Sequence, residues 1–200
     1  MTPKWLSGLF LAGLIFASLS CKTPFSTREP ETPNASQSNW VQPTSPNYVM
    51  INLRTAVTEK NSQNYLRCLA DTGTAAVSFR YIPESSVAAA NPGLFQEWSK
   101  ESERNYLNQL LAYLPGDSLS TLTLTLIREN AFQDSVVLVQ DYVLTLGHKQ
   151  QSAGCPRQFR GQAEFRLRRS DEDLWYIYRW SDFATADQPA WSVLRAFFGK

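Results

Sequence analysis

Residues 159–183 constrain the fold more than any other stretch of this sequence. From Phe159 to Leu167 every second residue is apolar or small, and the residues between them are polar or charged. That period of two is the pattern of a strand with one buried face. Residues 170–173, Ser-Asp-Glu-Asp, have turn chemistry, and aromatic and β-branched residues resume after Leu174. The stretch therefore predicts a β-hairpin of two long strands.

Two further strands are predicted directly before this hairpin. Leucines alternate with threonines between Leu119 and Arg128, and Ser135–Leu146 is rich in residues that favour strands. Short turn-like links join the four segments, which predicts an antiparallel meander. One earlier strand is predicted at Ala75–Ile82, where Pro83 ends it.

Three helices are predicted ahead of the meander. The first spans about Asn47–Lys60, and a short second helix begins at the N-cap residues Asn61-Ser62 and ends near Gly73. The third and longest helix runs from Leu94 to Pro115-Gly116, with Glu103 on its polar face. Residues 85–93 are predicted to be a loop, and residues 190–198 fit either a short helix or a strand.

This order of elements predicts an α+β fold. A curved antiparallel sheet, made of the four-strand C-terminal meander and the one earlier strand, is expected to be covered by the three N-terminal helices. The length of 200 residues and the 43% hydrophobic content allow one domain with a substantial core. We place that domain at residues 47–200.

The N-terminus has the pattern of a secretion signal. Lys4 precedes an apolar run from Trp5 to Leu19, and Ser20-Cys21 closes the run. The run is shorter than the roughly 20 apolar residues that a membrane-spanning helix needs. We therefore predict that residues 1–20 are a signal peptide and that the protein is exported.

The end of this run, Ser18-Leu19-Ser20-Cys21, resembles the lipobox of bacterial lipoproteins, although Leu19 stands one position later than the usual leucine. The resemblance implies that Cys21 carries the acyl chains, palmitate among them, and anchors the mature protein to a membrane. Lys22, where inner-membrane lipoproteins have Asp, implies an outer-membrane address facing the periplasm in an organism that has one. The alternative is an ordinary signal peptide cut nearby, with Cys21 incidental.

Residues 21–46 are predicted to be a flexible tether between the lipid and the domain. They are rich in Pro, Ser, Thr, Asn and Gln, and such a segment buries too little apolar surface to offset the entropy of ordering it. Trp40 and Val41 are its one notable apolar pair, and they are expected either to touch the domain or to have no role.

Two cysteines remain after Cys21, namely Cys68 and Cys155. Export to an oxidising compartment would allow a disulfide between them. The alternative is that Cys68, which lies in a helical pattern beside Leu66 and Leu69, is a small buried hydrophobic residue. The sequence does not decide between these two interpretations.

The charge balance argues against nucleic acid as a partner. The net charge is +1, from 19 Lys and Arg against 18 Asp and Glu, so no strong field attracts a polyanion. A set of arginines near the hairpin is expected to form a solvated face, with an anionic glycan or lipid head group as the less favoured partner; it comprises Arg157, Arg160, Arg166, Arg168 and Arg169.

The sequence has no recognisable catalytic or cofactor motif. It contains no Gly-rich phosphate loop, no nucleophile elbow and no Cys/His set with metal-ligand spacing. His148 is the single histidine, and its polar surroundings predict a solvated position in a turn. We therefore predict no metal site and no cofactor.

Four motifs in the chain resemble the nuclear transport factor 2-like, or SnoaL-like, superfamily. They are Asn52–Val57, Tyr65–Asp71, Phe159-x-Gly161-x-Ala163-x-Phe165 and Trp175-x-Ile177-x-x-Trp180-x-Asp182. The resemblance covers about residues 47–198 and implies a cone of curved sheet closed by helices. Members of the superfamily include isomerases, dehydratases, cyclases, association domains and exported proteins without a known activity, so the fold alone does not define the function.

The resemblance also implies where chemistry would occur. Enzymes of this superfamily use the interior of the cone as an apolar pocket with a buried Asp, His or Tyr. The weak candidates for a general base are Asp182 and Asp141, and the candidate pocket residues are Tyr65, Trp98, Tyr142 and Trp180. In the simpler interpretation Asp182 caps a strand end or pairs with Arg179, Asp141 lies on the solvated face, and the aromatic residues belong to the core.

Two functional hypotheses follow. The favoured one is a non-enzymatic, lipid-anchored domain that binds an unknown protein or small molecule in the cell envelope. The alternative is a cone-pocket enzyme of the isomerase, dehydratase or hydrolase type that uses a buried Asp as general base. A homodimer formed through the outer sheet face is a further hypothesis, and it depends on the strand register of Tyr176, Tyr178 and Trp180.

Overall fold

The computed structural model describes residues 38–149, 155–185 and 188–200. The predicted signal peptide, Cys21 and the tether up to residue 37 lie outside the described residues. Within the described part of the chain, no helix is both long and apolar enough to cross a membrane.

The described residues belong to one folded unit, Ser38–Lys200. Its helices are α1 Pro46–Thr58, α2 Ser62–Arg67, α3 Thr72–Ala75, α4 Ser85–Ala90, α5 Lys100–Ala112 and α6 Trp191–Phe198. Its strands are β1 Arg80–Ile82, β2 Ser120–Ala131, β3 Ser135–Leu146, β4 Gln158–Arg169 and β5 Trp175–Ala184. The predicted α+β class and the four-strand meander are confirmed.

The five strands form one sheet in the order β1-β5-β4-β3-β2. The meander is antiparallel throughout, but β1 pairs with β5 in parallel, with Tyr81 beside Trp180. The sheet is therefore mixed, and the expectation of a fully antiparallel sheet was wrong for β1. After β1 the chain passes through α4, α5 and the first three strands of the meander before it reaches β5. Strands β1 and β5 are therefore joined by a long connection, as a parallel pair requires, and not by a tight turn.

The early strand is much shorter than the predicted Ala75–Ile82. Asp71 caps the helical turn α3 by accepting hydrogen bonds from the Gly73 and Thr74 amides, both at 3.0 Å. Ala76 then adopts a left-handed conformation with φ of 53°, which ends the turn. The helical turn therefore occupies the start of the predicted strand, and the chain becomes extended only after Ala76. The observed strand β1 is limited to Arg80–Ile82.

Two predictions about helices were also wrong. Residues 85–93 were expected to be a loop, but Glu84 caps a helix there by accepting from the Ser86 and Val87 amides at 3.0 Å. The long helix α5 begins at Lys100 rather than Leu94 because Ser99 and Ser102 form a capping box. The open question about residues 190–198 is resolved in favour of a helix, α6.

Residues 38–46 pack against the domain, although the sequence assigned them to the tether. Asn52 in α1 is buried, accepts from the Val41 amide at 2.9 Å and donates to the Val41 carbonyl at 2.5 Å. The Arg67 guanidinium lies 4.0 Å over the Trp40 ring, and the Pro43 carbonyl accepts from the Trp175 amide at 2.8 Å. The folded unit thus begins at Ser38 rather than at residue 47.

The register of β5 is set by a β-bulge. Leu167 pairs with Ile177 and Arg166 pairs with Arg179, which leaves Tyr178 as the extra residue. Because of this insertion, Ile177 and Trp180 both face the core with 0% exposure, although they are three residues apart. Tyr176, opposite Arg168, lies on the other face. The aromatic residues on which the homodimer hypothesis depends therefore do not form one surface; they are Tyr176, Tyr178 and Trp180.

Candidate functional site

The interior of the cone is filled by helix α6. Six of its eight residues are buried: Trp191, Ser192, Leu194, Arg195, Ala196 and Phe198. One of them is charged, and Arg195 has 0% of its surface exposed. A buried charge is stable only when it is paired and hydrogen-bonded, so its partners define the chemistry of the interior.

Arg195 forms a buried ion pair with Glu103 of α5, which is also 0% exposed. Its Nη2 lies 2.6 Å from Glu103 Oε1, and its Nε lies 3.0 and 3.2 Å from the two carboxylate oxygens. Tyr65 Oη donates to Oε1 at 2.7 Å, and Trp98 Nε1 donates to Oε2 at 2.6 Å. Every polar atom of the carboxylate is thereby satisfied.

Aromatic rings enclose the Arg195 guanidinium. Its central carbon lies 4.0 Å from the centroid of Tyr81 and 4.4 Å from that of Trp180. Trp191 and Tyr106 follow at 5.0 and 5.4 Å. Nη1 makes no hydrogen bond among the described residues, and the negative faces of the surrounding rings stabilise its charge instead.

The protonation states within this cluster are well defined. Burial opposes the charge on Arg195 and is the largest single effect, but the Glu103 charge, the neighbouring Tyr81 and Tyr65 and the hydrogen bond to Glu103 together outweigh it and raise the pKa of the guanidinium. Burial, with a smaller effect of the Glu103 charge, raises the pKa of Tyr65 well above its ordinary value. Arg195 is therefore charged and Tyr65 is a hydrogen-bond donor at neutral pH.

A second buried network surrounds Asp182 of β5, which is 1% exposed. Its carboxylate accepts from Tyr142 Oη at 2.7 Å, from Tyr81 Oη at 3.0 Å, and from the Ser192 amide and hydroxyl at 2.6 and 2.5 Å. Ala190, the N-cap residue of α6, has no side chain that could cap the helix. Asp182 supplies that cap from the sheet, where its charge also favours the positive end of the helix.

Tyr142 completes the cap and explains Gly161. Its hydroxyl accepts from the Trp191 amide at 2.6 Å while donating to Asp182. Gly161 lies opposite Tyr142 across the sheet, and a Cβ there would come within 2.5 Å of the Tyr142 hydroxyl and 2.6 Å of the Phe183 carbonyl oxygen. The glycine in the alternating β4 pattern is thus required by the close approach of the Tyr142 ring. Burial, followed by the Asp182 charge, raises the pKa of Tyr142.

A small cavity adjoins the interior. It has a volume of about 30 Å³ and lies among α1, α2, α5, α6 and β3, which is room for about one water molecule. Tyr65 lines this cavity together with Tyr106, Trp191 and several leucines. The other predicted pocket residues, Trp98, Tyr142 and Trp180, are buried in the core but do not line the cavity.

The two candidate bases are far from equivalent. Asp141 is exposed on the outer face of the sheet and accepts from Gln162 Nε2 at 3.1 Å, so its proposal as a pocket base was wrong. Asp182 is inside, as an enzyme would require, but its oxygens are already used by donors from α6 and two tyrosines. Its predicted partner Arg179 lies instead on the outer face, opposite Arg166.

His148 lies in a different environment from the one that the sequence predicted. His148 is buried, at 1% exposure, and its ring packs edge-on against Phe198 at 5.9 Å. Its Nε2 lies 2.8 Å from the Pro156 carbonyl and 3.6 Å from Cys155 Sγ. Because a carbonyl can only accept, Nε2 holds the proton and cannot remove one from Cys155. Burial raises the pKa of the Cys155 thiol.

Cys68 and Cys155 are not bonded to each other. Cys68 is buried at the end of α2, and its Sγ lies 3.4 Å from the Asn64 carbonyl oxygen. Burial raises the pKa of this thiol. The candidate disulfide was wrong, and the interpretation of Cys68 as a small buried hydrophobic residue is correct.

The arginines near the hairpin are partly neutralised. Arg166 pairs with Glu164 at 2.8 Å, and Arg169 pairs with Asp134 at 2.8 Å. Both contacts are partly exposed to solvent and contribute little stability individually. The pairing supports the expectation of a solvated face.

Sequence reasoning did not find the Glu103–Arg195 pair. The helical period placed Glu103 on the polar face of α5, and Arg195 was not singled out. The composition of residues 190–198 could have identified Arg195, because it is the single charged residue in the apolar run Ala190–Phe198. Such a residue, in a helix whose hydrophobic pattern predicts burial, requires an acidic partner elsewhere.

Comparison with known proteins gives the fold. No protein-family model and no curated protein matches the chain. A conserved protein from Planctomyces limnophilus is 15% identical with a TM-score of 0.52, covering 70% of this chain and 92% of that one. A candidate scytalone dehydratase from Novosphingobium aromaticivorans is 8% identical with a TM-score of 0.52, covering 70% and 80%.

A candidate aromatic ring hydroxylase from the same organism is 16% identical with a TM-score of 0.50, covering 71% of this chain and 86% of that one. At such identities the matches establish a shared fold, and not a shared activity. Together with the helix and sheet arrangement described above, they show that the chain shares the α+β fold of these proteins, in which helices cover a single sheet, as the resemblance of its motifs to nuclear transport factor 2-like proteins implied.

Proposed function

We propose that this protein is a lipid-anchored component of the cell envelope whose cone domain acts by binding a partner or ligand, and not by catalysis. The observation that supports this most directly is the filled interior. Helix α6 places Arg195 and Trp191 where an enzyme of this fold would hold its substrate. The binding surface is then on the outside of the domain.

The size of the interior supports the proposal. Small-molecule sites usually have volumes of about 300–1,000 Å³, whereas the interior cavity of about 30 Å³ accommodates about one water molecule. A general base must also reach a substrate proton directly or through one water. Asp182 is fully engaged in capping α6, so the enzyme hypothesis retains only the shared fold in its favour.

The lipid anchor remains a prediction from the sequence, through Cys21. Residues 22–37 separate Cys21 from the folded unit. Sixteen residues can extend over at most about 55 Å, so the anchor would hold the domain close to the membrane surface. The outer membrane, with the domain in the periplasm, is the proposed location in an organism that has one.

Membrane fractionation tests the anchor. Wild-type protein is expected in the membrane fraction and to incorporate a palmitate analogue, whereas Cys21→Ser is expected to lose the label and its membrane association. Cys155→Ser is the matched control, since it also removes a thiol but leaves Cys21 in place. Equal labelling and equal membrane association of wild type and Cys21→Ser would show that the anchor is not at this residue.

A small aromatic probe tests the filled interior. Saturable quenching of tryptophan fluorescence by 2-naphthol reports occupancy beside Trp180 and Trp191, which are buried in the core. Wild type is expected to show no saturable quenching, and Arg195→Ala is expected to gain it because the side chain that fills the space is shortened. Saturable binding by wild type that is lost in Asp182→Asn would favour the cone-pocket enzyme instead.

A further inference from the structure

The sheet has two edges that differ sharply. At one edge β1 is only three residues long, while at the other β2 extends over 12 residues. Natural sheets protect long edges with charged residues, prolines or early bulges, because an open edge pairs with other strands. The first half of β2, Ser120–Leu126, is Ser-Thr-Leu-Thr-Leu-Thr-Leu and contains neither a charge nor a proline.

The hydrogen-bond pattern shows which backbone groups face outward. The Gly147 amide of the neighbouring chain segment donates to the Leu119 carbonyl at 2.8 Å. Because antiparallel ladders alternate, the odd-numbered residues of this half bond to β3 and the even-numbered ones point away. The outward groups therefore belong to Leu122, Leu124 and Leu126, and no described residue pairs with that side of β2.

The edge carries exposed apolar side chains. Leu126 and Ile127 are 52% and 54% exposed. A groove of about 380 Å³ beside β2 is lined by Met50, Leu124, Leu126 and Leu138, with the charged residues Arg54 and Glu129 also in its lining. Gln140 also lines it, is 7% exposed, and has a buried Oε1 without a hydrogen-bond partner among the described residues. A buried acceptor of this kind is normally satisfied by a donor such as an ordered water.

We propose that a second copy of this chain covers the edge, by antiparallel pairing of the two Ser120–Leu126 segments about a two-fold axis at Leu124. The outward groups then form about six backbone hydrogen bonds, because Leu124 pairs with its own copy and Leu122 pairs with Leu126 of the partner subunit. The two five-stranded sheets become one continuous sheet. The proposal is independent of the lipid anchor and of the proposed binding function.

The sequence of the segment is complementary to itself in this arrangement. Leucines face leucines on the inner side, and Thr123 faces Thr125 of the partner subunit on the outer side, a pairing that favours sheets. Beyond this segment the register between β2 and β3 shifts between Leu126 and Arg128, which marks a bulge at Ile127 and limits the regular edge to seven residues. In a second copy the leucine and threonine alternation matches by symmetry, as a two-fold interface requires.

The outer sheet face is less suited to a two-fold interface. The outward positions of β4 are Arg160, Gln162, Glu164, Arg166 and Arg168, and Arg179 of β5 lies opposite Arg166. Four arginines against one glutamate on this face mean that stacking two such faces would bring like charges together. The edge segment has no charge to oppose. The structure therefore favours the edge over the outer face that the sequence suggested for a dimer.

Cysteine cross-linking in intact cells that express the full chain tests the arrangement. In a Cys155→Ser background, Leu124→Cys is expected to form a disulfide-linked dimer on mild oxidation, because hydrogen-bonded pairs place Cα atoms about 5.5 Å apart, within the range for a disulfide. Gln162→Cys, in the middle of the outer face, is the matched control and is expected to stay monomeric. Cross-linking at residue 162 with none at residue 124 would overturn the proposal.

A charge-introducing variant provides a second test. Thr123→Lys combined with Thr125→Lys would place like charges opposite each other, and both threonines are exposed, so the fold should be retained. Sedimentation of the solubilised full chain in density-matched detergent is expected to show a dimer for wild type and for Thr123→Val/Thr125→Val. The lysine variant is expected to weaken dimerisation by at least tenfold. A wild-type monomer at micromolar concentration, or a lysine variant that dimerises as well as wild type, would refute edge pairing.

Discussion

Replacing Arg195 by Met tests whether the ion pair within the cone is a major source of stability. The substitution keeps a long side chain but removes the contacts of 2.6, 3.0 and 3.2 Å to Glu103. It leaves a carboxylate with 0% exposure and only two donors, Tyr65 and Trp98. Breaking a buried pair by removing one partner usually costs about 3–5 kcal/mol.

That cost is large compared with the total stability of a domain, which is typically about 5–15 kcal/mol. For a domain of this size each kcal/mol corresponds to about 2–4 °C, so we expect Arg195→Met to lower Tm by about 6–20 °C. Thermal and urea unfolding followed by circular dichroism measure the effect. Adding Glu103→Gln to Arg195→Met is expected to cost less than the sum of the two single changes, because the residues act as a pair.

Arg104→Met provides the matched control on the same helix. Arg104 Nε lies 3.0 Å from Glu101 Oε2, and both side chains are well exposed. An exposed pair at this spacing contributes only about 0.3–0.5 kcal/mol, so a Tm change within about 2 °C is expected. The reasoning would be refuted if Arg195→Met lowered Tm no more than Arg104→Met does.

Three further predictions concern the capping interactions and the close approach at β4. Asp182→Asn should destabilise the protein by about 1–3 kcal/mol in urea unfolding, because the side-chain nitrogen of Asn cannot accept hydrogen bonds from Ser192 of α6. An unchanged urea midpoint would show that Asp182 does not act as the cap of α6. Gly161→Ala should cost about 1–3 kcal/mol, because its Cβ would overlap Tyr142, whereas Gly116→Ala, where a Cβ meets nothing within 4 Å, should be neutral. Burial opposes the charge on Glu84, but hydrogen bonds from Ser86 and Val87 outweigh it and lower its pKa to about 2. Its stabilising effect should be complete above about pH 4.5 and lost as the pH falls through 2, so the Tm difference between wild type and Glu84→Gln should shrink over that range.

The sequence was most informative where side-chain period and burial agree. The alternation in β4 and the leucine pattern of β2 predicted strands close to those observed, and Asn61 marked the start of α2 correctly. These features depend on local spacing, which a sequence displays directly. The superfamily motifs then gave the arrangement of helices and sheet.

The features that the sequence did not give depend on contacts between distant residues. The bulge at Tyr178 shifts Trp180 to the core side, and no local pattern marks it. Glu103 and Asp141 both look like solvated carboxylates, yet one is buried against Arg195 and the other is exposed. Asp182 was recognised as a candidate, but its role as a cap depends on α6, whose position no periodicity reveals.

The position of Arg195 in the chain also has a consequence for the order of folding. Its partner Glu103 lies 92 residues earlier, and Asp182 is bound by Ser192 of the same helix. Until residues beyond 190 are available, both carboxylates lack their main partners, and the helices and the meander have an unfilled space between them. Contacts of such long sequence separation form late and slow the folding reaction. Completion of the core therefore depends on α6, which follows the other described helices and strands in chain order, and a chain that is still being synthesised or translocated cannot reach the closed state before α6 has emerged.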